Sequence, residues 1–215
     1  MSHAYSFSLI IHFIYQSISW INSGKLKRAI YIGLLLGLIA LIRPVNILIF
    51  LFPLSYGIYT KKLLIERIQF FLTNYVHIIV IGALSFIVLL PQLLYWKYIT
   101  GSWFFNSYVG EQFYFGNPHT LDGLFGYRNG WLLYSPIMGF SIIGMILLLK
   151  DNKKFFLPVT GFFVINTYVL YSWWCWWYGG SFGSRPMIDS YGLMAISMAS
   201  FLLIGLNQFQ TFQRR

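Results

Sequence analysis

The stretch Ala29-Ile30-Tyr31-Ile32-Gly33-Leu34-Leu35-Leu36-Gly37-Leu38-Ile39-Ala40-Leu41-Ile42-Arg43-Pro44-Val45-Asn46 decides how this chain is laid out. Its first 14 residues are an unbroken apolar run. As helix the run measures about 21 Å at ~1.5 Å per residue, short of a ~30 Å hydrocarbon core. Arg43-Pro44 then interrupts it, and a second apolar run follows over 45–59. Either one long kinked helix passes through, or two short helices turn at the proline.

Charge separates the alternatives, because basic residues collect on the cytoplasmic side of a membrane protein. With a turn, Lys25, Lys27, Arg28, Lys61, Lys62, Arg67, Lys150, Lys153, Lys154, Arg214 and Arg215 share one side, 11 of the 15 basic residues. Arg43, Lys97, Arg128 and Arg185 share the other. With one kinked helix, every later loop changes side and the asymmetry disappears. Arg43 would also sit at mid-membrane, at roughly 3 kcal/mol or more. The turn is therefore expected, with the N-terminus outside and the C-terminus cytoplasmic.

Composition points to a membrane protein. Of 215 residues, 58% are hydrophobic, 21% aromatic and only 9% charged, against about 25% charged in a soluble domain. The expected fold is all-α, a polytopic transmembrane helical bundle. It forms a single domain over 1–215, with hydrophobic segments near 4–21, 29–43, 45–59, 77–95, 131–149, 155–172 and 190–206. Residues 60–71 place apolar positions 64, 65, 68 and 71 on one helical face, which predicts a helix lying along the membrane surface. Membrane orientation accounts for the net charge of +10, so nucleic acid is not expected as a partner. The single cysteine, Cys175, excludes an internal disulfide and reads as a buried small residue.

This topology gathers the residues able to do chemistry on the outer face. Glu111, Asp122, Asp189, His3, His119, Arg43, Arg128 and Arg185 fall there, whereas Glu66 and Asp151 lie inside among lysines. Two outer loops carry most of them. One runs over 97–130, and a loop of that length is usually functional. The other contains Ser172-Trp173-Trp174-Cys175-Trp176-Trp177-Tyr178-Gly179-Gly180-Ser181-Phe182-Gly183-Ser184-Arg185-Pro186-Met187-Ile188-Asp189.

Several motifs, in order, resemble the bacterial GT-C glycosyltransferases of the dolichyl-phosphate-mannose–protein mannosyltransferase-like kind. They are Leu41-Ile42-Arg43-Pro44-Val45-Asn46, Asn117-Pro118-His119, Leu124-Phe125-Gly126-Tyr127-Arg128-Asn129-Gly130-Trp131-Leu132-Leu133-Tyr134-Ser135-Pro136, and Tyr178-Gly179-Gly180-Ser181-Phe182-Gly183-Ser184-Arg185. None is a strict catalytic signature. The resemblance implies an integral protein of the bacterial inner membrane. Its reaction would move a sugar from a polyprenyl-phosphate carrier to an acceptor on the non-cytoplasmic side. It also implies a catalytic acid in a first outer loop, and no such loop precedes residue 4. The chain is thus expected to be the C-terminal part of a longer protein or a truncated product, with activity belonging to the full-length protein.

The chemistry can be argued beside the resemblance. Arginine suits a departing phosphate, since its planar fork gives two hydrogen bonds and keeps its proton. Arg43, Arg128 and Arg185 are the candidates, with His119 beside them. A carboxylate must accept the acceptor's proton, and Glu111, Asp122 and Asp189 are the outer ones. Trp173, Trp174, Trp176, Trp177 and Tyr178 offer flat apolar faces to a sugar or prenyl chain. Gly179, Gly180 and Gly183 allow close backbone approach. The three arginines are expected around one outward cavity beside 173–178. No cofactor is implied. A divalent metal on His119, Glu111 and Asp122 is the alternative, without tight ligand spacing.

Each reading has a plainer rival. The tryptophans can be an interfacial belt, and Arg43 can snorkel to water. Arg185 can pair with Asp189 at i,i+4, and Arg128 with Asp122. Glu111 and Asp122 can be solvated loop charge, and His12 and His77 helix-packing hydrogen-bonders. A non-catalytic protein that binds or translocates a lipid-linked substrate is the functional alternative. It calls for ionisable groups near mid-span, where this chain has almost none beyond two histidines. Gly33 and Gly37 form a G-x-x-x-G for helix packing, and the oligomeric state stays open.

Overall fold

The computed structural model describes residues 2–105 and 110–213. Asn106-Ser107-Tyr108-Val109 of the long loop, and Arg214 and Arg215 of the basic set, lie outside the described residues. The α-helices are α1 Ser2–Ser23, α2 Leu26–Ile42, α3 Leu51–Ser55, α4 Lys61–Thr73, α5 Tyr75–Thr100, α6 Thr120–Phe125, α7 Trp131–Tyr134, α8 Met138–Asp151, α9 Lys153–Tyr171 and α10 Tyr191–Gln213. Two 3-10 turns, Pro44–Phe50 and Arg185–Ser190, lead into α3 and α10. Among the described residues the only β pairing is an isolated bridge between Phe113 and Trp173. The fold is all-α. Among the described residues, three helical stretches, Tyr75–Thr100, Lys153–Tyr171 and Arg185–Asn207, are long and apolar enough to cross a membrane.

The chain does reverse at Arg43-Pro44. A residue before proline is pushed out of the α region, and Arg43 is extended at φ −150° and ψ 109°. Arg43 and Asn46 meet Asp189 at one end of the bundle. At the other end, the Gly57 N–H donates to the Lys154 carbonyl at 2.9 Å. The segment between them uses 3-10 geometry for seven residues. At ~2.0 Å rise per residue instead of ~1.5 Å, this lengthens a short connection.

Close glycine packing fixes the helix pairs. A Cβ on Gly33 would lie 2.9 Å from the Ile81 carbonyl, and one on Gly37 would lie 2.7 Å from Val88 Cβ. The Ser85 hydroxyl donates to the Gly33 carbonyl at 2.9 Å. The G-x-x-x-G therefore serves internal packing, and the order of these contacts makes α2 and α5 parallel. On the far side, a Cβ on Gly144 of α8 would overlap the Ser197 carbonyl of α10. Ile10, Phe13, Ile39, Phe52, Trp131, Leu148, Phe162 and Met194 form the buried core between the pairs.

This arrangement segregates the basic residues. Lys25, Lys27, Arg28, Lys61, Lys62, Arg67, Lys150, Lys153 and Lys154 flank the helix ends remote from Asp189, whereas Arg43, Lys97, Arg128 and Arg185 flank the Asp189 end. α4 lies at the lysine-rich end. Its Leu64, Ile65, Ile68 and Leu72 are exposed on one face. Phe70 and Phe71 pack on Trp20 from another, and Arg67 donates to the Tyr56 carbonyl at 2.7 Å.

Several boundaries depart from expectation. The 131–149 segment divides into α7 and α8 at Ser135-Pro136, where Ser135 leaves the helical region at φ −134°. The 45–59 segment is helical only to Ser55. Cys175 is half-buried rather than buried.

Candidate functional site

The densest polar cluster is at the Asp189 end and draws on three separate parts of the chain. Asp189 itself is 2% exposed. Its Oδ1 lies 2.9 Å from His3 Nδ1 at the start of α1. Its Oδ2 accepts from Arg43 Nη1 at 3.1 Å and from Asn46 Nδ2 at 2.9 Å. His3 Nδ1 also lies 3.3 Å from Arg43 Nη1. Two donors cannot bond each other, so the shorter contact assigns the proton. The His3 Nδ1–H donates to the carboxylate, which leaves a lone pair on Nε2 when the ring is neutral. Arg43 uses one Nη on Asp189 and keeps its remaining N–H groups for another partner. Its side chain is 27% exposed and that of His3 is 17% exposed.

Arg185 takes no part in this cluster. It is exposed, and no ion pair reaches it among the described residues. The alternative of an i,i+4 pair with Asp189 fails because Arg185–Ser190 is a 3-10 turn. At 3.0 residues per turn, i and i+3 eclipse and i+4 points about 120° away.

The two loops are stitched by backbone hydrogen bonds. Tyr114 N–H donates to the Ser172 carbonyl at 2.6 Å, Trp174 N–H to Gln112 at 3.1 Å, and His119 N–H to Tyr171 at 2.9 Å. Asn129 Nδ2 donates to the carbonyls of Trp177 and Gly179, at 2.9 and 2.8 Å. Those two peptides bracket Tyr178, a non-glycine residue at φ +52°. Asn129 is itself at φ +63°. Such conformations cost of order 1–3 kcal/mol each and persist where surroundings over-determine them. Gly123 has no Cβ because Tyr171's ring occupies that space.

The aromatic ledge is already occupied on some faces. The Arg128 guanidinium lies 3.6 Å from the centre of the Trp177 ring. His119 stacks on Trp176 with centroids 5.7 Å apart and planes at 21°. His119 Nδ1 lies 3.0 Å from Asp122 Oδ2, so Asp122 pairs with His119 and not with Arg128. Trp174 is 41% exposed, and Gly179 and Gly180 are exposed beside it. Glu111 is half-buried, and among the described residues it joins no group of three or more His, Cys, Asp or Glu side chains able to hold a metal. His119 and Asp122 are thus in contact, and Glu111 is not grouped with them among the described residues.

Tyr178 links the ledge to the polar cluster. Its hydroxyl donates to the Leu170 carbonyl at 2.7 Å. Burial pushes its phenol well above the usual tyrosine range, and the nearby Arg43 charge opposes that shift. Arg43 is close enough to act on the Tyr178 phenol, Arg128 lies over the neighbouring Trp177 ring, and Arg185 is exposed at the same end. Sequence reasoning placed His3 on this face but gave it no role in the site. Its tie to Asp189 spans 186 positions, and no local pattern signals such a contact. Comparison with known proteins finds no counterpart: no family model, no curated protein and no solved structure matches this chain.

Proposed function

We propose that this chain carries the phosphate-binding and acceptor-activating parts of a GT-C-type membrane glycosyltransferase. Its seven apolar segments cross the bacterial inner membrane, with the Asp189 end on the non-cytoplasmic side and the lysine-rich end in the cytoplasm. The donor is a sugar linked to a polyprenyl phosphate. The observation that carries the reading is the His3–Asp189–Arg43 cluster, in which one buried carboxylate orients both a potential base and a phosphate ligand.

The roles follow from the contacts. Asp189 holds the His3 ring, so the acceptor hydroxyl can lose its proton to Nε2. The acceptor oxygen then bonds to the anomeric carbon while the bond from that carbon to the phosphate oxygen breaks. The phosphate leaves with the electron pair, and the free N–H groups of Arg43 stabilise its charge. Arg185 and Arg128 lie at the same end to draw in the anion, and Trp174 presents an open ring face to the prenyl chain or sugar. Asp189, at 2% exposure, is a positioning residue rather than the base.

That same burial favours a second reading, in which the cluster binds or translocates a lipid-linked substrate without chemistry. One assay separates the two. The full-length protein is reconstituted in liposomes with a polyprenyl-phosphate sugar and an acceptor, and both donor retention and product are measured. Transfer should fall about 10²–10⁴-fold in His3→Gln, with donor retention preserved. Arg43→Ala should lose donor retention. Donor retention by the wild type with no product would leave only the binding reading, and wild-type turnover by His3→Gln would remove the proposed base.

A further inference from the structure

A cavity of about 460 Å³ opens at the lysine-rich end and is lined by His12, Gln16, Lys25, Lys27, Arg28 and Tyr31. It lies between α1 and the start of α2, away from the Asp189 cluster. Three of its polar groups, His12, Gln16 and Arg28, are ordered by one chain of hydrogen bonds. Arg28 Nη1 donates to Gln16 Oε1 at 2.8 Å, which fixes the amide orientation. Gln16 Nε2 therefore donates to His12 Nε2, 3.2 Å away. The Arg28 guanidinium also lies over the Tyr15 ring at 5.8 Å. Gln16 is 4% exposed, so this is a built wall and not a loose surface.

Three cations face the cavity and no carboxylate answers them. Among the described residues, Lys25, Lys27 and Arg28 make no ion pair; Glu66 pairs with Lys62, Asp122 with His119, and Asp189 with His3 and Arg43. The cations also crowd the first turn of α2, which has no acidic residue and no side-chain cap. Positive charge there opposes the helix dipole. A bound anion relieves both repulsions. Tyr15, Ile30, Tyr31 and Leu34 of α1 and α2 are exposed apolar side chains near these lining residues in sequence, a surface suited to an acyl chain.

We infer that this cavity binds a phosphate-bearing anion, with an anionic phospholipid headgroup as its occupant. Basic pockets between helices at the cytoplasmic boundary are suited to such headgroups. The site does not depend on the transferase reading, because it shares no residue with the Asp189 cluster.

The test uses the full chain in zwitterionic detergent. Native mass spectrometry follows added phosphatidylglycerol, with phosphatidylcholine as the neutral comparison, and inorganic phosphate is added as a competitor. Wild type should retain one phosphatidylglycerol in preference to phosphatidylcholine. Lys25→Gln/Lys27→Gln changes only exposed side chains and should weaken retention about tenfold or more. Lys61→Gln/Lys62→Gln removes the same charge elsewhere and should change it less than about twofold. Arg28→Gln, checked for an unchanged melting temperature, should weaken it as well. Displacement by millimolar inorganic phosphate would keep the phosphate site but overturn the lipid as its occupant. Equal weakening in both double variants, or no preference over phosphatidylcholine, would overturn the site.

Discussion

Replacing Asp189 by leucine tests whether one buried carboxylate organises the Asp189 end. The substitution removes three acceptor contacts, to His3, Arg43 and Asn46, at 2.9, 3.1 and 2.9 Å. Hydrogen bonds to a charged group contribute about 1.5–3 kcal/mol each, but three sharing one acceptor group are not additive. Breaking a buried pair by deleting one partner costs about 3–5 kcal/mol, because the other charge is left without compensation. Arg43 is 27% exposed and can turn toward water, which places the expected loss near 3 kcal/mol. For a domain of this size that corresponds to a melting temperature lower by roughly 6–12 °C. Thermal unfolding in detergent micelles, followed by tryptophan fluorescence and by loss of the monodisperse peak, measures it. Arg43→Leu combined with Asp189→Leu should recover about half the loss, since no uncompensated charge remains. A single variant melting within about 1 °C of wild type, or a double variant showing the plain sum of two losses, would refute the reasoning.

Three further outcomes follow from the packing. Gly144→Leu should lower stability by at least about 1–3 kcal/mol and separate α8 from α10, since its first side-chain carbon meets the Ser197 carbonyl; disulfide trapping between cysteines placed on the two helices reads this out. Asn129→Ala removes both hydrogen bonds that bracket Tyr178. Protease cleavage within 177–183 should then accelerate while the rest of the chain stays protected. Tyr178 has its phenol raised by burial, so it stays protonated when folded at pH values where the unfolded chain ionises. Its contribution is complete below about pH 10 and declines as pH rises further. Tyr178→Phe should therefore flatten the alkaline fall in stability above about pH 10, and an unchanged alkaline slope would count against its burial.

Much of the fold was legible because its causes are local. Hydropathy marked the apolar helices, three of which among the described residues are long enough to cross a membrane where seven segments were expected, and proline geometry located the reversal at Arg43. The partition of basic residues depends only on where the chain turns, and the structure segregates the described ones as the turn requires. The 61–73 helix announced itself by its apolar periodicity, with Leu64, Ile65 and Ile68 exposed on the expected face while Phe71 packs on Trp20 instead. The site was legible only in outline. Arg43, Arg128, Arg185 and Asp189 do gather at one end, but their pairings follow from elements no pattern specifies. A 3-10 turn diverts Arg185 from Asp189, and the predicted ring faces of Trp176 and Trp177 are covered by His119 and Arg128.

By itself the sequence determined an all-α, membrane-like chain, a reversal at Pro44 and the separation of lysine-rich from polar-aromatic ends. Those properties come from composition, periodicity and backbone restriction, each acting over a few residues. Only the tertiary structure decided that Asp189 would hold His3, Arg43 and Asn46 together, and that Gln16 and Arg28 would wall a basic cavity at the opposite end. Such contacts join side chains from separate helices, and their geometry is set by how closely glycine-lined helix faces approach.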